Sequence, residues 1–167
     1  MRSGWYRRGT RDTGRGDQVP RLASRVFLAL TLLAAPLAAQ APREFGIEGL
    51  ALLRDSSLVG GALYGGLRVT PRTRLAVTGA LGGGHGGLGA RGELAGHFLL
   101  NPALRHGVGL YGGGGLALEW QRDTRGYLEL ILGLETDPGA TRGLVLEAGL
   151  GGGVRLALGW RARWFPK

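Results

Sequence analysis

The chain has 167 residues and no cysteine, which suits a single domain and excludes disulfide frameworks, thiol nucleophiles and thiolate metal sites. Hydrophobic residues make up 44%, yet mean hydropathy is only +0.03; this excludes a bundle of membrane helices but not a barrel, whose strands alternate apolar and polar residues and average out. The formal charge of +9 does not mark a nucleic-acid partner, because residues 1–40 alone hold seven arginines against two aspartates and the remaining excess is small and almost all arginine.

The first forty residues read as a leader. Arg21 and Arg25 precede an apolar run from Val26 to Ala35, and Pro36-Leu-Ala-Ala-Gln40 follows as a small-residue cleavage zone. This layout predicts a secretory signal peptide over residues 1–39, cut after Ala39. The apolar run is shorter than the roughly 20 residues a spanning helix needs. Residues 1–18 form an atypical polar extension, for which translation from Val19 is the expected explanation. The remaining domain, residues 40–167, is expected to be a barrel.

From Arg43 onward the apolar residues recur at every second position, which places them on one face of a strand. Leu63, Leu67 and Val69 share a parity, as do Leu75, Val77 and Leu81, then Leu88, Leu94 and Phe98. Leu110, Leu116, Leu118 and Trp120 continue it, followed by Leu128, Leu130, Leu132 and Leu134, and by a last set from Leu144 to Trp164. The opposite parity carries Arg68, Arg91, Glu93, His97, Glu119, Glu129, Glu147, Arg155, Arg161 and Arg163 among many small residues. The stretch around Phe45 to Leu53 is less regular.

Three proline turns punctuate the chain: Thr70-Pro-Arg-Thr73, Asn101-Pro-Ala-Leu104 and Asp137-Pro-Gly-Ala140. Proline cannot donate to a ladder, so these are connections. Other breakers lie between them: Arg54–Ser57, Gly82–Gly86, Gln121–Thr124 and Gly151–Gly153. The reading is therefore all-β, with eight antiparallel up-and-down strands at about 44–53, 58–69, 73–82, 87–100, 107–120, 126–135, 142–150 and 154–165. Residues 142–165 keep one parity throughout, and the Gly151–Gly153 hairpin is what splits them into two strands. Such lengths suit tilted membrane strands, which need about 9–11 residues. An even count returns both chain ends to one side, so the proline turns are expected to be periplasmic. The 34 glycines fit a narrow eight-stranded interior, where small residues leave room for large ones.

This combination of leader, alternating strands and C-terminal aromatics resembles the small outer-membrane β-barrel proteins, with the OmpA-type and OmpX-type barrel domains as the nearest models. The likeness covers about residues 44–165 and rests on pattern. It implies location in the cell outer membrane and a last-strand aromatic read by the barrel-assembly machinery, for which Trp164 and Phe165 stand, followed here by Pro166-Lys167. Outer-membrane lipid and that machinery are the implied partners, and a monomer is expected.

Arg68, Arg91, Glu93, His97, Glu119, Glu129, Glu147, Arg155 and Arg161 are expected to form a structural charge network in the lumen, because buried charge without a partner is costly. Phe98, Trp120, Tyr127 and Trp164 are expected in the two aromatic girdles. No catalytic, cofactor or metal residue is assigned. Two glycine runs, from Gly82 and from Gly107, match the dinucleotide fingerprint but open no helix. Ser56 and Ser57 with His85 make an incomplete triad without an orienting acid. The expected role is a structural or integrity-type barrel with a closed lumen. A lipid-modifying or small-ligand barrel working at its outer rim is one alternative, and a soluble secreted glycine-rich β-sandwich is another.

Overall fold

The computed structural model describes residues 42–54, 57–85 and 87–165. The signal-peptide reading at residues 1–39 lies outside them. Eight strands run in chain order: β1 (Arg43–Leu53), β2 (Leu58–Arg68), β3 (Thr73–Gly84), β4 (Gly87–Leu99), β5 (Val108–Trp120), β6 (Thr124–Thr136), β7 (Arg142–Leu150) and β8 (Val154–Trp164). Each pairs antiparallel with its neighbour in sequence, and β8 returns to β1 to close the barrel. The closing seam runs from Arg43 opposite Trp164 to Leu53 opposite Val154. Among the described strands no edge is left unpaired, which is the condition for crossing hydrocarbon with strands.

Side-chain direction follows the sequence parity. Leu63, Leu81, Leu88, Leu94, Leu130, Leu132 and Leu158 are all exposed on the outer wall. Arg74, Arg91, Arg155, Arg161, Glu93, Glu129 and Glu147 are buried inside it. A soluble barrel has the opposite polarity, so this wall suits lipid rather than water. An 11-residue strand such as β8 is about 36 Å long at roughly 3.3 Å per residue. Tilted by about 40°, it spans about 28 Å, close to the apolar band of about 25 Å in such barrels.

β7 and β8 are separate strands, joined at Gly151–Gly153 and paired from Leu150 opposite Val154. Gly152 (φ +76°) and Gly153 (φ +155°) take backbone conformations that other L-residues avoid, which is why this turn needs glycine. The glycine run after Leu81 behaves differently from its reading as a loop. Gly82, Gly83 and Gly84 pair in the ladder with Gly89, Leu88 and Gly87, because backbone groups hydrogen-bond without side chains. The proline turns lie at the end of the barrel where β1 begins and β8 finishes. In the first, Thr70 Oγ1 accepts from the N–H of Arg72 at 3.2 Å and of Thr73 at 2.9 Å. The other two connections are tied together: Asp137 N–H donates to Gly107 O at 2.7 Å, and Gly107 N–H donates to Asp137 Oδ1 at 2.9 Å.

Candidate functional site

The interior is the most chemically organised part of the molecule. All seven glutamates of the chain (44, 48, 93, 119, 129, 135 and 147) are buried there. Seven arginines (54, 68, 74, 91, 155, 161 and 163) form ion pairs with them. Counted over the glutamates and their arginine partners alone, the two signs are equal in number.

The network has three tiers. At the proline-turn end, Arg74 Nη1 sits 2.9 Å from both Glu44 Oε2 and Glu135 Oε2. Arg163 Nη2 reaches Glu135 at 3.1 Å, and Arg68 approaches Glu44 at 3.4 Å. His97 Nδ1 accepts from Arg74 Nε at 3.4 Å, and its ring stacks on Tyr111 with centroids 5.0 Å apart. In the middle, Arg161 Nη2 bridges Glu48 at 2.8 Å and Glu147 at 2.6 Å. The Tyr111 hydroxyl donates to Glu147, and the Arg161 guanidinium lies 3.6 Å from the centroid of the Tyr64 ring. Cation–π contact of this kind strengthens when water is excluded.

Arg155 links the middle tier to the far one. Its guanidinium contacts Glu147 at 2.8 Å, Glu93 at 2.9 Å and Glu129 at 3.1 Å. Arg91 adds Glu93 at 2.6 Å, Glu129 at 3.2 Å and Glu119 at 3.7 Å. Arg54 pairs with Glu119 at the mouth, and it also donates to the Tyr127 hydroxyl at 2.8 Å and to Gly152 O at 3.2 Å.

Glycines make room for this filling. A Cβ on Gly66 would stand 2.6 Å from the Tyr64 hydroxyl, one on Gly113 2.6 Å from His97 Cδ2, and one on Gly46 2.9 Å from Arg161 Cγ. These separations are shorter than any ordinary carbon contact. A smaller apolar cluster of Leu50, Leu52, Leu58, Ala62 and Ala80 fills the side nearest β1–β3.

The nine lumen positions singled out from sequence (Arg68, Arg91, Glu93, His97, Glu119, Glu129, Glu147, Arg155 and Arg161) are all inward and belong to this one network. The structure adds Glu44, Glu48, Arg54, Arg74, Glu135 and Arg163, with Tyr64 and Tyr111 as its aromatic members. Most carried a readable signal. Glu44 and Glu48 alternate with Phe45 and Ile47, and Glu135 follows the outward Leu134.

Among the four aromatic positions, Phe98 and Trp164 are exposed at the proline-turn end, and Trp120 at the other. Phe45 and Trp160 join the first pair on the outer face. Tyr127 does not belong with them. It shares the inward parity of Glu129, so its ring turns over the barrel mouth and meets Arg54, with the guanidinium 5.7 Å from the ring centroid.

At the opposite rim, Ser57 Oγ lies 3.4 Å from His85 Nδ1, with both groups exposed. No described carboxylate is paired with that imidazole, and Ser56 lies outside the described residues. His106 is far away in the Pro102 loop, 3.9 Å from Asp137.

An eight-stranded closed barrel with leucines outside and paired carboxylates and guanidiniums inside defines a class: the chain is a β-barrel of the outer-membrane type. Solved structures that share this fold include two outer-membrane barrels. The N-terminal β-barrel domain of OprF from Pseudomonas aeruginosa is 18% identical, with 75% of this chain and 100% of that one covered and a TM-score of 0.55. Neisserial surface protein A is 12% identical, with 74% and 97% covered and a TM-score of 0.53. No protein-family model and no curated protein matches the sequence.

Proposed function

We propose that this chain is a monomeric outer-membrane barrel whose lumen is closed by a charge-paired plug, and that it serves the envelope as a structural, integrity-type element rather than as an open pore or a catalyst. The observation that carries this reading is the pairing of all seven glutamates with seven arginines inside the wall. Arg74, Arg155 and Arg161 are each fully buried, so these charges meet one another rather than a water column. A conducting path would need charged groups facing water, and here the side chains that could face it hold each other. Insertion would depend on the barrel-assembly machinery, with Trp164 and Phe165 as the C-terminal aromatics it reads. The fold alone assigns no activity; the closed, neutral interior favours a passive role.

Planar-bilayer recording on the purified barrel tests the reading. The expected result is a flat current with no unitary steps at moderate voltage. Regular, ion-selective openings would refute the closed plug. Loss of the chain from its native envelope should increase entry of large hydrophobic dyes without altering lipid A composition.

A further inference from the structure

Charge outside the lumen is distributed unevenly. The described residues hold thirteen arginines and nine acidic groups, a surplus of four. The seven pairs in the lumen cancel. The loop end keeps Arg122 and Arg125 against Asp123, leaving one. The proline-turn end carries Arg43, Arg72, Arg105 and Arg142 and, of the described acidic groups outside the lumen, Asp137. By formal charge over the described residues it is the more basic of the two rims.

Two of those arginines belong to the membrane-facing wall. Arg43 shares its parity with Phe45 and Ile47, and Arg142 with Leu144 and Leu146, and both arginines are exposed. β7, β8 and β1 are consecutive in the barrel, so Arg142 and Arg43 flank the tryptophans of β8. The Arg142 guanidinium lies over the Trp160 ring, 5.9 Å from its centroid. Arg43 stands opposite Trp164, and Ile47 opposite Trp160, in the closing seam.

Directly beyond Trp160, towards mid-membrane, the outer wall is hollow. A depression of about 650 Å³ is bordered by Ile47, Leu63, Leu81, Leu158 and Trp160 and floored by Gly49, Gly61 and Gly79. A Cβ at Gly61 or Gly79 would find nothing within 4 Å, so these glycines are not forced by packing within the barrel. Trp160 touches Arg142 and borders the groove, and Trp164, opposite Arg43, stands on the same face of β8.

We propose that Arg43, Arg142, Trp160 and this groove form a site for one anionic glycerophospholipid. The phosphodiester would sit between the guanidiniums, and an acyl chain would lie along the glycine floor. An isolated cation pair would serve any anion, and an isolated groove any hydrocarbon. Their continuity on the membrane face selects a molecule with both, and basic pockets at this depth recognise anionic headgroups. The leaflet follows from the chain: β1 begins and β8 ends at this rim, and an exported barrel inserted from the periplasm keeps those ends there. That leaflet is glycerophospholipid, whereas the opposite one carries lipopolysaccharide.

The test is native mass spectrometry of the whole barrel, titrated separately with phosphatidylglycerol, phosphatidylethanolamine and lipid A. We expect phosphatidylglycerol to be retained at least fivefold more strongly than phosphatidylethanolamine, with roughly a fivefold loss for each arginine in Arg43→Gln and Arg142→Gln. Gly61→Leu, which fills the groove and leaves the charges, should weaken phosphatidylglycerol binding too, while Arg72→Gln in the turn should not. Equal retention of the two phospholipids, unchanged binding when Arg43→Gln and Arg142→Gln are combined, an unchanged Gly61→Leu or a preference for lipid A would each overturn the site. If a variant does not fold, salt decides on the wild-type chain: the phosphatidylglycerol preference must fall as ionic strength rises, and a salt-independent ratio overturns the proposal.

Discussion

Replacing Arg155 with methionine keeps the unbranched stem but removes the guanidinium and its charge. Arg155 is 0% exposed. Its hydrogen bonds run to Glu93 at 2.9–3.1 Å and to Glu147 at 2.8 Å, and Glu129 lies 3.1 Å from Nε. In the variant Glu147 keeps Arg161 and Tyr111, and Glu93 and Glu129 keep Arg91. No carboxylate is stripped bare, but the interior holds one negative charge too many. Breaking a buried pair from one side costs about 3–5 kcal/mol, which is two to three and a half orders of magnitude in the folding equilibrium. The assay is reversible urea unfolding in lipid vesicles, followed by tryptophan fluorescence and by the heat-dependent shift in gel mobility. Arg155→Met with Glu93→Gln restores neutrality and should recover a large part of the loss. A single variant that loses less than about 1 kcal/mol, or a double variant no better than the single, would show that the tiers do not act as a desolvated network.

Leu130→Arg places a charge at mid-wall on a residue 66% exposed, and it should cost about 2–4 kcal/mol in lipid vesicles; a neutral effect on membrane folding would contradict the lipid-facing assignment. Gly152→Ala should destabilise by about 1–3 kcal/mol, because φ is +76° and the new Cβ would stand 2.8 Å from the Tyr127 ring; hydrogen exchange at residues 150–154 would register the loosened turn. Ser57→Ala should leave lipid A acylation unchanged by mass spectrometry, and a change would convert the Ser57–His85 contact of 3.4 Å from a solvated pair into working chemistry.

Strand number, parity and most turn positions were legible because a lipid-facing wall is built on a two-residue repeat, whereas the Gly82–Gly84 run, read as a loop, extends the ladder. The Leu128–Leu134 run needs no structure to be seen as a strand face. The same rule marks Glu44, Glu48, Arg74 and Glu135 as inward; the strands of Glu44, Glu48 and Arg74 carry less uniform outward residues, and Glu135 lies just past the end of the clean Leu128–Leu134 run. Tyr127 shows how chemistry can mislead when position is ignored: an aromatic near a strand end looks like a girdle residue, but its parity turns it inward. Partner choice was not readable. Arg54 meets Glu119 and Arg91 meets Glu129 across strands far apart in sequence, and those meetings depend on barrel stagger, which no local pattern encodes.

The closing seam has a polarity of its own. Every inward charge on β1 is acidic, Glu44 and Glu48, and every inward charge on β8 is basic, Arg155, Arg161 and Arg163. Glu44 stands directly opposite Arg163 in the ladder. In a meander these two strands are the last to meet, so the terminal strands act as a keyed latch. Two open copies would present the same signs, so β1 of one could also seek β8 of another, and fast closure within one chain is the safeguard against such exchange. A slip by two residues would move Glu44 from opposite Arg163 to opposite Arg161 and leave Arg163 with no carboxylate across the seam, only Glu135 across the lumen, so the latch also measures its own register.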